Sequence, residues 1–138
     1  MASAATPYLI DANIYLGFTN EEDSLHAKAK DLIEELNRNG SSCVLLDHVI
    51  QEILTVLLYG GQHASIRSFM ETFLIDQNVF PVDTPISWMN DAISLATQQN
   101  FKPKMSLTDW LLLSRSLMTG APILTFDKQL LAASKKLC

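Results

Sequence analysis

The chain has 138 residues, 48% of them hydrophobic, and a formal net charge of −5 at pH 7. That length holds an ordinary core without disulfide or metal staples, and the hydrophobic share excludes a disordered chain. The negative charge excludes a protein that grips nucleic acid by broad phosphate neutralisation, while leaving room for a compact acidic pocket neutralised locally by a cation.

Tyr8-Leu9-Ile10 reads as a short apolar strand that stops at Asp11. Asp23 or Ser24 caps a predicted helix running to about Asn39, and Gly40 ends it. Leu25, Ala29, Leu32, Ile33 and Leu36 supply its apolar face. Ser42 to Leu46 predicts a second strand. Asp47 opens a helix through about Tyr59, closed by Gly60-Gly61. Residues 62–76 form a further amphipathic helix with Ile66, Phe69, Met70, Phe73 and Leu74 along one side. Val79-Phe80-Pro81-Val82 is a third strand, and its proline points to an edge position or a strand end. Thr84 caps a helix with Pro85 at its first position, running to about Gln99. A loop, Phe101 to Met105, leads to a very apolar helix from near Leu107 to Gly120. Pro122 to Phe126 is the last strand, and Asp127 caps a C-terminal helix.

Strands alternating with helices predict parallel pairing through right-handed crossovers. The expected fold is one domain over 1–138, a three-layer α/β/α sandwich with a mainly parallel central sheet. The opening residues lack the basic and apolar regions of a secretory signal. No segment approaches the ~18 uninterrupted apolar residues that mark a membrane span. Cys43 and Cys138 have neither zinc nor disulfide spacing, so a buried small hydrophobe and a terminal thiol in a reducing, cytoplasmic setting are expected.

In a parallel sheet the ligand site lies beyond the carboxyl ends of the strands. Asp11 and Asp127 stand there, directly after two different strands. Singly, either is most simply a helix cap or the head of an Asx-turn. Asp109 says more. It shares a helical face with Leu112 and Leu113, and an unpaired buried carboxylate costs several kcal/mol or more. The helix N-terminus offsets roughly 0.3–1 kcal/mol of that, so a further positive partner is needed. A capping box with Ser106 is compatible with that role. Glu52 lies at the edge of an apolar arc formed by Val49, Ile50, Ile53, Leu54, Val56 and Leu57, where an ordinary surface glutamate looks the same. As a set, four carboxylates persist ionised together only around a cation. Oxygen donors without His or Cys suit Mg²⁺ or Mn²⁺, and the matching chemistry is metal-assisted phosphodiester hydrolysis.

The same residues resemble a known family. Leu9-Ile10-Asp11-Ala12-Asn13 resembles the opening Asp-x-Asn motif of PIN domains, and Val49-Ile50-Gln51-Glu52-Ile53 their internal glutamate helix. Ser106-Leu107-Thr108-Asp109 resembles the third motif and Leu124-Thr125-Phe126-Asp127 the fourth. Order, spacing and length are similar to the VapC-type toxins of bacterial toxin–antitoxin pairs. Ala12 departs from the Ser or Thr frequent at that position. The resemblance implies a Mg²⁺- or Mn²⁺-dependent endoribonuclease with Asp11 as the central metal ligand. Glu52 and Asp109 would complete the ligand set directly or through water, and Asp127 would bind a second ion or orient water. Asn13, Thr125 and Ser106 would support those acids. It further implies an RNA substrate, a homodimer, and an antitoxin partner that blocks the acidic pocket.

Lys102, Lys104, Lys128 and Arg67 are candidate phosphate contacts, with solvated surface charge as the simpler role. Trp110 and Trp88 are candidates for base stacking, although each sits among apolar helix neighbours and is expected in the core. His26, His48 and His63 show no ligand spacing. Two rival readings remain. An aspartyl-phosphate phosphatase would use Asp11 as nucleophile, but Asn13 stands where a general-acid Asp is needed. A catalytically silent PIN-like binding module would have no reason to bear the repulsion of four acids.

Overall fold

The computed structural model describes residues 7–99 and 104–137. Four strands form one wholly parallel sheet: β1 (Tyr8–Ile10), β2 (Cys43–Leu46), β3 (Val79–Val82) and β4 (Ile123–Leu124). Their order is β3-β2-β1-β4. Among the described residues seven α-helices accompany them: α1 (Ala12–Thr19), α2 (His26–Asn39), α3 (Asp47–Tyr59), α4 (His63–Ser68), α5 (Ile86–Gln98), α6 (Leu107–Thr119) and α7 (Lys128–Leu137). α1 packs on α2 and α3, while α6 packs on α5 and α7. This is the expected α/β/α sandwich. Among the described residues no helix is long and apolar enough to cross a membrane.

The strand order fixes where a ligand can enter. From β1 the chain builds outward through β2 to β3, then returns to place β4 on the other side of β1. The direction of winding therefore switches between β1 and β4, and crevices open at the carboxyl ends of strands at such a point. Leu9 and Ile10 pair with Ile123 and Leu124, and the Asp11 amide donates to the Leu124 carbonyl at 2.9 Å. Proline is tolerated in β3 because that strand is an edge.

Burial explains the helices. α6 is wrapped by protein on most sides: Trp110, Leu111, Leu112 and Leu113 are all buried. α3 buries Val49, Ile53 and Leu57, one stripe at helical spacing. Gly17 lets α1 approach α2 closely, since a Cβ there would meet the Ala29 Cβ at 3.3 Å. Tyr15 stacks at a tilt against Phe69 and Phe73, with centroids 4.8 and 4.6 Å away.

Several local expectations change. α1 is a short helix that the sequence pattern did not announce. Asp23 does not cap α2. Its carboxylate accepts from the Leu25 amide in a turn ahead of the helix, which begins at His26. Thr84 does not cap α5 either, because its hydroxyl donates to Asp47 at 2.5 Å and Pro85 takes the cap position. The helix expected over 62–76 is α4 followed by a π-helical turn at Phe69–Phe73. β4 is shorter than Pro122–Phe126, because the Phe126 amide leaves the ladder to donate to the Asn13 side chain at 3.0 Å. Cys43 is buried, and burial pushes its thiol up to about 11. Cys138 and part of the Phe101–Met105 loop lie outside the described residues.

Phe69 is fully buried in the aromatic cluster. Phe69→Ala is expected to lower the unfolding free energy by roughly 3–5 kcal/mol in urea titration, because it opens a cavity that the rings of Tyr15 and Phe73 cannot fill.

Candidate active site

Each acid is placed by a different element. Asp11 ends β1 and caps α1, with its Oδ1 accepting from the Ala12 amide at 2.8 Å. Glu52 stands on the second turn of α3 and is exposed. Asp109 is the third residue of α6 and forms the predicted capping box. Ser106 Oγ accepts from the Asp109 amide at 3.2 Å, and the Asp109 carboxylate accepts from the Ser106 amide at 3.1 Å. Asp127 heads α7, accepting from the Gln129 and Leu130 amides at 2.8 and 3.2 Å.

Asp11 is 5% exposed, so its charge must be met by donors. Thr125 Oγ1 donates to Asp11 Oδ2 at 2.7 Å. The Asn13 amide nitrogen donates to Thr125 Oγ1 at 3.1 Å and lies 3.4 Å from Asp11 Oδ2. Thr125 Oγ1 also accepts from the Asp127 amide at 3.0 Å. One hydroxyl thus joins the ends of β1 and β4 and orients two of the four acids.

The acids feel one another. Burial raises the Asp11 carboxyl above its ordinary value, the Thr125 and Ala12 hydrogen bonds oppose it, and the charge of Asp127 adds to the rise. Partial burial raises Glu52, followed by the charges of Asp11 and Asp109. Burial likewise raises Asp109, against the Ser106 hydrogen bonds and with the help of Asp11 and Asp127. Every one of the four is therefore electrostatically coupled to at least one other.

The donor set fits a hard divalent cation. An ionised carboxylate offers about four lone pairs. Glu52 has given none to a hydrogen bond within the described residues, Asp109 Oδ1 and Asp127 Oδ2 are uncommitted, and Asp11 Oδ1 accepts one bond. No three His, Cys, Asp or Glu side chains among the described residues stand close enough to hold a metal between them. The cluster is thus open rather than a closed cage. It suits an ion that keeps several waters and takes one or two carboxylates directly, as Mg²⁺ does.

A PIN-domain family model matches residues 8–136, a span that holds all four acids. The chain belongs to the PIN domain family. No curated protein matches it by sequence. Its fold is similar to that of VapC20 from Mycobacterium tuberculosis, a toxin that cleaves the sarcin–ricin loop. The TM-score is 0.74 at 18% identity, over 91% of this chain and 94% of that one. VapBC2 from Rickettsia felis, bound to a DNA fragment from its promoter, gives 0.66 at 15% identity over 94% and 92%. A toxin–antitoxin complex from Klebsiella pneumoniae gives 0.61 at 14% identity over 87% and 86%. At these identities the likeness is one of fold.

Around the acids of this PIN domain, the other expected residues take varied places. Lys104, Lys128 and Arg67 are exposed, and Lys102 lies outside the described residues. Trp110 is buried, and Trp88 carries the Arg115 guanidinium 3.8 Å from its ring centroid. His26 Nδ1 bonds the Gly17 carbonyl at 3.0 Å, His48 lies 4.0 Å from Asp47, and His63 is exposed at the head of α4. Sequence reasoning passed over Lys28. Its ammonium sits 5.8 Å from the centroid of Phe126, the residue before Asp127. A lysine on an exposed helix face gives no signal of that approach.

Two predictions follow from the electrostatics. A carboxyl whose pKa is raised by folding holds its proton more tightly in the folded state. Stability contributed by Asp11, Glu52 and Asp109 in metal-free protein therefore falls as pH climbs from their ordinary values, 3.8 to 4.5, through their raised ones. Glu52 has no hydrogen bond to lose, so Glu52→Gln should raise the thermal midpoint of metal-free protein at pH 7. A lowered midpoint would refute the repulsion. Thr125→Val should cost roughly 1.5–3 kcal/mol, the range for a hydrogen bond to a charged group, and move the Asp11 titration to higher pH in carboxyl ¹³C spectra.

Proposed function

We propose that this protein is a divalent-metal-dependent endoribonuclease that hydrolyses RNA phosphodiester bonds as the toxin of a toxin–antitoxin pair. The observation that carries this reading is the electrostatic coupling of four carboxylates near the switch point of a PIN fold. The fold likeness to VapC20 and to two toxin–antitoxin complexes supports the toxin role. A cytoplasmic homodimer and an antitoxin that covers the acidic pocket complete the proposal.

Asp11, Glu52, Asp109 and Asp127 are the residues that would hold the ion, as Mg²⁺ or Mn²⁺. When bound, such an ion acidifies a coordinated water and offsets charge on the phosphate oxygens. The chain's own residues do the rest. Thr125 and Asn13 hold the Asp11 carboxylate in a single orientation, and Ser106 does the same for Asp109. The rigid α6 core beneath Asp109 keeps that orientation when substrate arrives. The raised pKa values mean that metal and proton compete for the same oxygens, so acidification weakens metal binding.

The test is incubation of purified protein with mixed cellular RNA, with and without EDTA, beside Asp109→Asn. Wild-type cleavage should need Mg²⁺ or Mn²⁺ and stop with EDTA. Asp109→Asn should lose at least 100-fold in rate, and Thr125→Val about 10–100-fold, the usual cost of removing a partner that orients a metal ligand. Cleavage that persists in EDTA rejects the proposal. A wild-type melting temperature indifferent to Mn²⁺ and Mg²⁺ would instead favour a silent binding module.

A further inference from the structure

A cleft of about 310 Å³ begins where the acidic site ends, between α1 and the C-terminal half of α3. Asn13, Leu16, Asn20, Val56, Gln62 and Phe126 are among its walls. It is continuous with the acids by three routes. Asn13 is itself bonded to the Asp11–Thr125 pair. Phe126 immediately precedes Asp127. Val56 lies four residues after Glu52 on the same face of α3, roughly one helical turn or about 6 Å farther along the axis.

The lining is unlike a structural seam. Val56 is 49% exposed, so its apolar side chain is not used by the core. The Gln62 backbone is fixed at both ends, its amide donating to the Leu57 carbonyl and its carbonyl accepting from the Ile66 amide. Its side-chain amide nonetheless makes no hydrogen bond within the described residues. Asn20 spends only its Oδ1, on the Glu22 amide. Asp23, the acid on the wall, is turned to the Leu25 amide. Lys28 brings a cation to the Phe126 edge of the cleft.

Apolar walls and an aromatic ring suit the flat faces of a nucleobase, and carboxamides carry both the donor and the acceptor that a base edge requires. The volume lies at the lower end of small-ligand sites, roughly 300–1,000 Å³. A phosphate would be repelled by the neighbouring acids, whereas an uncharged base would not. We infer that this cleft receives the base of the nucleotide flanking the scissile phosphate of single-stranded RNA, with Gln62 and Asn20 reading its edge, and so sets base preference at the cut. The inference rests on the ribonuclease reading above.

Gln62 is exposed, so its variants should fold. Short single-stranded RNAs randomised around the cut are incubated with wild type, Gln62→Ala and Gln62→Glu in Mn²⁺, and cleavage ends are sequenced. Base preference at the flanking position should fall about 5- to 100-fold in Gln62→Ala, the range set by one side chain–base pair. It should change identity in Gln62→Glu, which has lost its donor. Superimposable cleavage profiles with active enzymes would overturn the inference and leave the nuclease standing. A second measurement does not depend on cleavage: titration of ¹⁵N-labelled protein with each of the four nucleoside 5′-monophosphates. Selective shifts of the Gln62 and Asn20 side-chain amides support the cleft even if no RNA is cut, in which case only the nuclease reading fails. Unmoved amides at saturating nucleotide overturn it.

Discussion

A carboxylate at the end of a central strand, 5% exposed, needs donors, and Asp11 takes them from across the sheet. Thr125 sits more than a hundred residues away in sequence, yet its hydroxyl lies 2.7 Å from Asp11. The pairing of β1 with β4 makes that distance possible. Once Thr125 has donated to Asp11, its oxygen accepts from Asn13 and from the Asp127 amide. The ends of both strands, the start of α1 and the start of α7 are thereby joined at one atom. A shift of β4 by one residue would turn Thr125 to the opposite face and leave Asp11 uncompensated, so the same bond that supports the acid also specifies the register.

Two of the remaining acids, Asp109 and Asp127, use the same device of a helix start on a rigid base. Asp109 and Asp127 each satisfy backbone amides that would otherwise lack partners, which contributes stability whether or not a cation is present. The apolar body of α6, with Leu111, Leu112 and Leu113 all fully buried, anchors Asp109 from below. Helix N-termini also bring partial positive charge toward the carboxylates. These effects let four like charges stand together, but they do not abolish the burial and, after it, the mutual repulsion that lift Asp11, Glu52 and Asp109. A cation bound at this spot would relieve that repulsion.

The sequence showed these features unevenly, and for physical reasons. β1, β2, β3 and the ends of α3 and α6 follow from apolar runs bounded by Asp and Gly, signals that act locally. Ser106 with Asp109 is a capping box that can be read within four residues. Thr125 and Asn13 could be named because they neighbour Asp127 and Asp11, although their contact with each other is a product of sheet order. Asp23 and Thr84 were misplaced because a short polar side chain at a helix start has several partners within reach, and tertiary structure chose among them. The π-turn at Phe69–Phe73 leaves the hydrophobic spacing almost unchanged, so periodicity does not reveal it. Lys28 could not be found at all, since its approach to Phe126 depends on how α2 packs.

The capping duties of the acids bear on how a cation could be held. Asp127 gives Oδ1 to two amides and Asp109 gives Oδ2 to one, which leaves each its other oxygen. Glu52 has no such tether and is exposed. Two capping carboxylates, one buried and bonded carboxylate, and one exposed carboxylate would offer oxygens to an ion without all four charges first being packed together. A fully preformed cage would concentrate the repulsion that burial already makes expensive at Asp11. Leaving Glu52 exposed keeps the repulsion among the four carboxylates tolerable while retaining a fourth oxygen donor within electrostatic reach.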